Sequence, residues 1–333
     1  MSPRRRIIPI FVPHAGCPND CVFCNQKRIS GSLFPATAQT VRQALDPLPE
    51  GALYELAFYG GSFTAIDAAQ QEELLSAAAP YRERGVVAAI RVSTRPDAVD
   101  DTALRRLARY GVETVELGAQ SMSDRVLRLS GRGHTAADTV RSAALAKAAG
   151  FRLILQMMTG LPGSDRETDI DTARAVIALK PDGVRIYPTV VIRDTALETL
   201  WRSGRYQEHT VEDAVETCAS IVPLFEEAGI PVIRLGLNPT DELSGGAAVA
   251  GAYHPALGEL VRSRLLRNRA EELLRAVKPG DRVILRVPEK GVSAMTGQHR
   301  ENLRWLKERF ALADVSVRAD RELPEGIKLQ ILP

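Results

Sequence analysis

The feature that most constrains the fold is an alternation of short β-rich runs with helical stretches through the first two thirds of the chain. Tyr54–Tyr59 reads as a strand and Ala68–Arg84 as a helix stopped by Gly85. Val86–Ser93 with Asp101–Tyr110 repeats the pattern, and Thr114–Leu117 precedes helical stretches on either side of Gly131-Arg132-Gly133. Leu153–Met158 with Asp165–Leu179, and Gly183–Tyr187 with Val211–Ala228, continue it; Ile7–Val12 followed by Thr40–Leu45 supplies the first unit. About six βα units, with strands read as apolar on both faces, predict an α/β fold with a parallel sheet covered by helices. From about Asn238 the rhythm changes. Pro239–Ala250 reads as a loop, then a helix from about Pro255 to Ala276, a strand Arg282–Pro288, a helix Gln298–Phe310, and strands near Val315–Arg318 and Lys328–Leu332. The expected domains are therefore 1–237 and a small α/β extension, 238–333.

The chain's 333 residues are 45% hydrophobic and 25% charged, an ordinary globular composition, and the net charge of +2 points to no polyanion by itself. The apolar run Ile7–Val12 is too short for a signal peptide, and no window reaches the ~18 apolar residues of a membrane helix. A cytoplasmic protein with no membrane association is expected. That compartment keeps thiols reduced, so clustered cysteines there serve metals or catalysis rather than disulfides.

Three of the four cysteines fall in one loop after the first strand, His14-Ala-Gly-Cys17-Pro-Asn-Asp-Cys21-Val-Phe-Cys24. Two readings stand. The three thiolates hold a [4Fe–4S] cluster with one iron open, since such clusters take cysteine ligands at their irons; or they form a Cys₃His zinc site with His14 as fourth ligand. The remaining cysteine, Cys218, lies on the apolar stripe of its helix and reads as core.

Other chemistry-bearing residues also follow strands. Gly60-Gly61-Ser62 is either a tight turn or a backbone that approaches a ligand closely. Ser93-Thr94-Arg95-Pro96-Asp97 leaves its strand extended, because Pro96 disfavours helical geometry at Arg95. Glu116, Gly118, Gln120 and Ser121 are polar where apolar residues are expected, which calls for an internal network or a ligand shell. Arg132, beside a flexible joint, suits a carboxylate, or is a surface residue. Met157-Met158 read as core, and His209 as a surface or capping residue. Cys17–Cys24, Gly60–Ser62, Ser93–Asp97, Gln120-Ser121, Gly160–Gly163 and Tyr187-Pro188 all lie just after strands, at the C-terminal edge of the expected sheet, where such folds build their sites.

The Cys17-x₃-Cys21-x₂-Cys24 run with Phe23, followed by Gly60-Gly61, resembles the radical S-adenosylmethionine (SAM) superfamily. The resemblance implies a partial (β/α)₆ TIM-like barrel and a [4Fe–4S] cluster on the three cysteines. It implies a fourth iron chelated by the amino and carboxylate groups of SAM, with Gly60-Gly61 toward the amino group. Reductive cleavage of SAM to a 5′-deoxyadenosyl radical, with electrons from a donor such as flavodoxin or ferredoxin, would follow. A second likeness spans about residues 90–206. Thr94-Arg-Pro-Asp97, Glu116-Leu-Gly-Ala-Gln-Ser121, Arg132-Gly-His-Thr135, Leu145–Phe151 and Pro181–Arg193, continuing to Tyr206, resemble the radical SAM domain of the Elongator catalytic subunit. That family modifies the wobble uridine of tRNA. By this likeness Phe23, Gly60, Gly61, Ser62, Ser93, Thr94, Gln120 and Arg132 belong to the SAM shell, and Tyr187, Arg193 and His134 stand nearer the substrate.

Departures are also visible. The cysteine loop is more compact than the Elongator form, no acetyltransferase domain follows, and the tail resembles the small extension of a stand-alone radical SAM group. The tail carries an excess of Arg and Lys over Arg262–Arg309, and Arg300, Arg304, Lys307 and Arg309 lie near Trp305 and His299. Such a helix suits RNA phosphates and bases, or is a solvated helix with Trp305 on its own core. The expectation is a radical SAM enzyme acting on tRNA. The alternatives are one acting on a small molecule such as a porphyrinogen, and a non-catalytic zinc-stabilised or RNA-binding protein.

Overall fold

In the computed structural model, residues 5–12, 17, 20–25, 35–51, 54–324 and 326–332 are described. The chain divides into two compact units, Met1–Thr210 with Ile221–Tyr253, and Val211–Ser220 with His254–Pro333.

The first unit is built on β1 (Arg6–Phe11), β2 (Tyr54–Tyr59), β3 (Val87–Thr94), β4 (Val112–Gln120), β5 (Arg152–Thr159), β6 (Gly183–Pro188), β7 (Val190–Ile192), β8 (Val232–Leu235) and β9 (Ala248–Gly251). Seven of these form one parallel sheet, β1-β2-β3-β4-β5-β6-β8, curled into a half-barrel. β7 and β9 pair antiparallel. The seventh strand was not expected from the sequence: it is four residues long and only partly buried, so it lacks the apolar run that marks the others. The loop expected over Pro239–Ala250 contains a π-helical turn, Leu243–Ala247, and most of β9.

The helices are α1 (Ala38–Leu45), α2 (Ala68–Glu83), α3 (Asp101–Arg109), α4 (Asp124–Leu129), α5 (Ala136–Ala148), α6 (Arg166–Ala178), α7 (Ala196–Arg202) and α8 (Val211–Glu227). Side-chain caps fix where several begin. Asp100 accepts from the Ala103 N–H at 2.7 Å, Thr135 and Asp138 form a capping box, and Asp165 accepts from the Thr168 N–H at 2.8 Å. Each cap also fixes the end of the loop leaving the sheet.

One sheet face is apolar: Leu56, Ile90, Val92, Val115, Leu117 and Leu155 are fully buried, each contributing roughly 1.5–3 kcal/mol. The opposite face corrects the expectation of strands apolar on both sides. Glu55, Arg91, Glu116, Gln156 and Arg185 stand there, one on each consecutive strand from β2 to β6. Register puts them together, since Glu55 pairs with Ala89 and Arg91 with Thr114, each two residues from the next member, and Gln156 pairs directly with Arg185.

In the second unit, β10 (Arg282–Val287) pairs parallel with β11 (Asp314–Ala319) and antiparallel with β12 (Lys328–Leu332). The helices α9 (Leu257–Leu274), α10 (Val292–Thr296) and α11 (Glu301–Arg309) complete it. Val283, Leu285 and Val287 share a core with Leu266, Ala270, Leu274, Leu303 and Leu306. The helix expected over Gln298–Phe310 begins at Glu301, because His299 and Arg300 take positive φ. No helix among the described residues is long and apolar enough to cross a membrane.

Candidate active site

The cysteine loop follows β1 and is tied to the rest of the half-barrel by its backbone. Val22 N–H donates to the Ser130 carbonyl at 3.1 Å, Leu197 N–H donates to the Val22 carbonyl at 2.7 Å, and Cys24 N–H closes a turn on the Cys21 carbonyl at 2.9 Å. Gly131 makes that approach possible: its φ is +64°, and a Cβ there would stand 3.2 Å from the Asp20 carbonyl oxygen. Cys21 is buried, and Cys17 and Cys24 are half-buried. Among the described residues no three His, Cys, Asp or Glu side chains converge on a single point. His14 lies outside the described residues.

Two arginines stand at the loop. Arg132 Nη1 donates to Cys21 Sγ at 3.3 Å and Nη2 to the Gly118 carbonyl at 2.6 Å. Arg95 is 2% exposed, chelates Asp97 through Nε and Nη2, donates to the Arg132 carbonyl, and is within electrostatic reach of Cys21 and Cys17. Its buried Nη1 has no hydrogen-bond partner. Arg132 is thus a buried residue beside the thiols, and Arg95 is a neighbour whose place the sequence did not single out.

The end of β4 brings two more of the expected residues close. Gln120 takes a φ of +64° and its Oε1 accepts from Gln156 Nε2 at 3.2 Å. His134 Nε2 lies 3.2 Å from the Ala119 carbonyl. A carbonyl only accepts, so Nε2 carries the proton and the buried Nδ1, which has no partner, presents a lone pair. Burial first, and Arg132 second, push the imidazole down to about 4, so it is neutral at physiological pH.

The other expected residues separate into two groups. Gly60 and Gly61 turn the chain with φ of +77° and +35°, and a Cβ on Gly60 would meet the Val12 carbonyl at 3.4 Å. Ser62 is fully buried, with its hydroxyl 2.8 Å from that of Thr94, which lies 2.5 Å from that of Thr64. Ser62 and Thr94 therefore tie the loop after β2 to the end of β3. Ser93 points to the other face, beside Glu116 in register. Phe23 packs with Tyr187 against Val126, Met158 and Leu161. Arg193 donates to the Gly246 carbonyl at 3.2 Å, and its own carbonyl accepts from Asn25. Cys218 is fully buried, in keeping with a core residue.

Beneath these residues lies the polar row of the inner face. Arg91 chelates Glu55 at 2.9 and 2.8 Å and also donates to Glu116. Arg185 Nη2 donates to Glu116 at 3.0 Å and contacts the Tyr59 hydroxyl at 2.8 Å. Burial, reinforced by Glu116, pushes the Tyr59 hydroxyl up and keeps it protonated. The Glu116 side chain is 3% exposed, so the open choice between network and ligand shell resolves here as a network. One charged or amide side chain at the middle of each strand was the available signal.

A second buried group surrounds Gly160, after β5. Asp169 accepts from the Gly160 N–H at 2.9 Å and from the Ser164 hydroxyl at 2.5 Å. The Tyr206 hydroxyl donates to the Gly160 carbonyl at 2.7 Å. His209 is half-buried: its Nε2 lies 3.1 Å from the Thr159 hydroxyl, and its ring fills the space where a Gly160 Cβ would be.

Comparison with known proteins bears on the fold and the family. Residues 11–176 match the Radical SAM superfamily, and residues 181–267 match the Radical_SAM C-terminal domain. The chain is 39% identical over 193 residues to Elongator complex protein 3 of Homo sapiens, covering 56% of this chain and 34% of that protein. It is 33% identical over 206 residues to the tRNA uridine(34) acetyltransferase of Methanocaldococcus jannaschii, covering 60% and 36%. The chain thus spans about a third of the length of these relatives. Among solved structures, Methanocaldococcus infernus Elp3 lacking its N-terminus superposes with a TM-score of 0.62 at 23% identity, over 79% of this chain and 63% of that one. Coproporphyrinogen III oxidase (HemN) from Escherichia coli superposes with a TM-score of 0.51 at 19% identity, over 68% and 54%. These two likenesses are of fold. With both domain matches, the half-barrel and the named relatives, the chain belongs to the radical SAM superfamily and is an enzyme of that class.

Proposed function

We propose that Cys17, Cys21 and Cys24 hold a [4Fe–4S] cluster, that SAM binds at its open iron, and that the substrate is a tRNA. The donor set fits the cluster: sulfur ligands suit iron–sulfur centres, and the guanidinium of Arg132, 3.3 Å from Cys21 Sγ, suits an anionic cofactor. That contact, at the C-terminal edge of the sheet, is the observation that carries the reading. Held there, the cluster would supply the single electron for reductive cleavage of SAM at its S–C5′ bond, with methionine as the leaving group.

The chain's own residues have separable tasks in this reading. Gly60 and Gly61 keep the backbone bare enough for close approach of the SAM amino group. Gln120, Arg132 and Ser93 offer polar contacts on the same edge, while Ser62 and Thr94 hold the loop in place and Phe23 shields one side. Neutral His134 presents its Nδ1 lone pair, and Tyr187, with Arg193 beyond it, stands toward the substrate. The electron comes from a donor such as flavodoxin or ferredoxin, in a cytoplasm that keeps the thiols reduced. The tRNA substrate rests on the relatives, one of which is named for uridine 34 of tRNA.

The test is anaerobic reconstitution with iron and sulfide, followed by assay of 5′-deoxyadenosine from SAM with and without bulk tRNA. A brown protein that cleaves SAM faster with tRNA is expected. Cys21→Ala should lose both colour and cleavage, while Cys218→Ala should keep both. Colourless protein with one bound zinc refutes the cluster. Cleavage indifferent to tRNA, but stimulated by a porphyrinogen, refutes the substrate.

A further inference from the structure

The second unit has an unusual sheet face. Its core side is apolar, with Val283, Leu285 and Val287 of β10 beside Val315 of β11. The other side carries alternate residues of all three strands, and register aligns them. Arg286 pairs with Arg318 of β11 on one side and with Lys328 of β12 on the other, so three cations stand in one row. Like charges directly opposite one another destabilise a sheet. Four residues away the same face shows the ordinary solution, where Arg282 pairs in register with Asp314.

Among the described residues, no carboxylate lies within ion-pair distance of Arg286, Arg318 or Lys328. The following acid, Asp320, accepts from the Glu322 N–H instead. Arg318 and Lys328 are exposed and Arg286 is half-buried. Arg286 is also oriented: its Nε donates to Gln330 Oε1 at 3.0 Å, which leaves both Nη groups directed elsewhere, without a partner among the described residues. Between Ser316 and Gln330 the face holds buried Ile284, and the three strands place no aromatic side chain on it.

These features select among anions. Neighbouring strands are about 4.8 Å apart, so the row spans roughly 10 Å. A nucleic acid duplex carries one charge per ~1.7 Å of axis and meets such a row with several phosphates. Single-stranded bases want aromatic platforms, which this face lacks. The helix that looked most suited to RNA in the sequence is a weaker candidate. Trp305 of α11 packs on its own core, and Arg267 lies 4.5 Å over its ring. We propose that the outer face of the β11-β10-β12 sheet, centred on Arg318, Arg286 and Lys328, binds the phosphate backbone of a folded RNA. This rests on the tRNA reading above and says where on the second unit the substrate is held.

The test is anisotropy of labelled, unmodified tRNA binding to the full chain from about 50 to about 200 mM salt. Wild type should show a steep fall of affinity with salt. Arg318→Gln and Lys328→Gln should each make the slope of log K on log salt shallower by about one. The triple variant with Arg286→Gln should lose between two and three, and bind on the order of a hundredfold more weakly near 0.1 M salt. Its urea midpoint should be unchanged or raised, because like-charge repulsion is removed, so lost binding is not misfolding. Wild-type slopes in these variants overturn the proposal while leaving the tRNA reading intact, as does an equal loss for Arg304→Gln with Lys307→Gln on α11. Absence of salt-dependent tRNA binding by the wild type overturns the tRNA reading itself.

Discussion

The carboxyl of Asp169 offers a test that needs neither cluster nor substrate. It is 3% exposed in α6, and its two hydrogen bonds from Gly160 and Ser164 offset only part of its lost hydration. Burial pushes it up from 3.8 to about 7. The folded state therefore holds the proton to higher pH than the unfolded chain does. Its stabilising effect is complete below the unfolded value and is lost as pH rises through about 7. A difference of about three pH units corresponds to about 4 kcal/mol in all, of which about 2.5 kcal/mol falls between pH 5 and pH 8. Asp169→Asn keeps an oxygen for the Gly160 N–H and removes the charge. Urea unfolding of both proteins at the two pH values isolates this group, because every other titration cancels in the difference. The variant should gain about 2.5 kcal/mol on wild type from pH 5 to pH 8. A difference that stays constant with pH would refute the argument. The outcome bears on the site, since the same carboxylate fixes the amide of Gly160, whose carbonyl is held by Tyr206.

Two further substitutions probe the scaffold. Glu116→Gln preserves shape but leaves buried Arg91 with Glu55 alone and buried Arg185 with no ion-pair partner among the described residues, and should destabilise by about 3–5 kcal/mol in urea unfolding. A loss under about 1 kcal/mol would mean that water already solvates these charges. Gly131→Ala places a Cβ at positive φ and 3.2 Å from the Asp20 carbonyl, and should cost about 1–2 kcal/mol and lower the iron content after reconstitution. Full iron loading with unchanged stability would show that the cysteine loop does not depend on this contact.

What could be read from the sequence divides along a physical line. The strand and helix alternation is a local signal, because period and caps are set by residues a few positions apart, and six of the seven parallel strands were legible that way. The cysteine spacing was legible for the same reason. The polar inner face was not, although each of its members was in plain view. Arg91 in an otherwise apolar strand looks like an isolated exception. Only the pairing of β3 with β2 and β4 sets it between Glu55 and Glu116, and pairing across a parallel sheet joins residues 36 and 25 positions apart. Arg95 shows the limit differently. Its proline neighbour announced an extended exit from the strand, yet its place beside the thiols depends on Arg132, whose carbonyl it holds from 37 residues away. The basic tail was ambiguous in the sequence. Aromatic and basic residues on one helix left RNA contact and a core position for Trp305 both open, and Trp305 packs on the core. The cations with no acid to meet are scattered through three strands and converge only when those strands pair. Charge excess was legible; the surface that displays it is a product of register, and a one-residue slip in β12 would send Lys328 to the core side and dissolve the row.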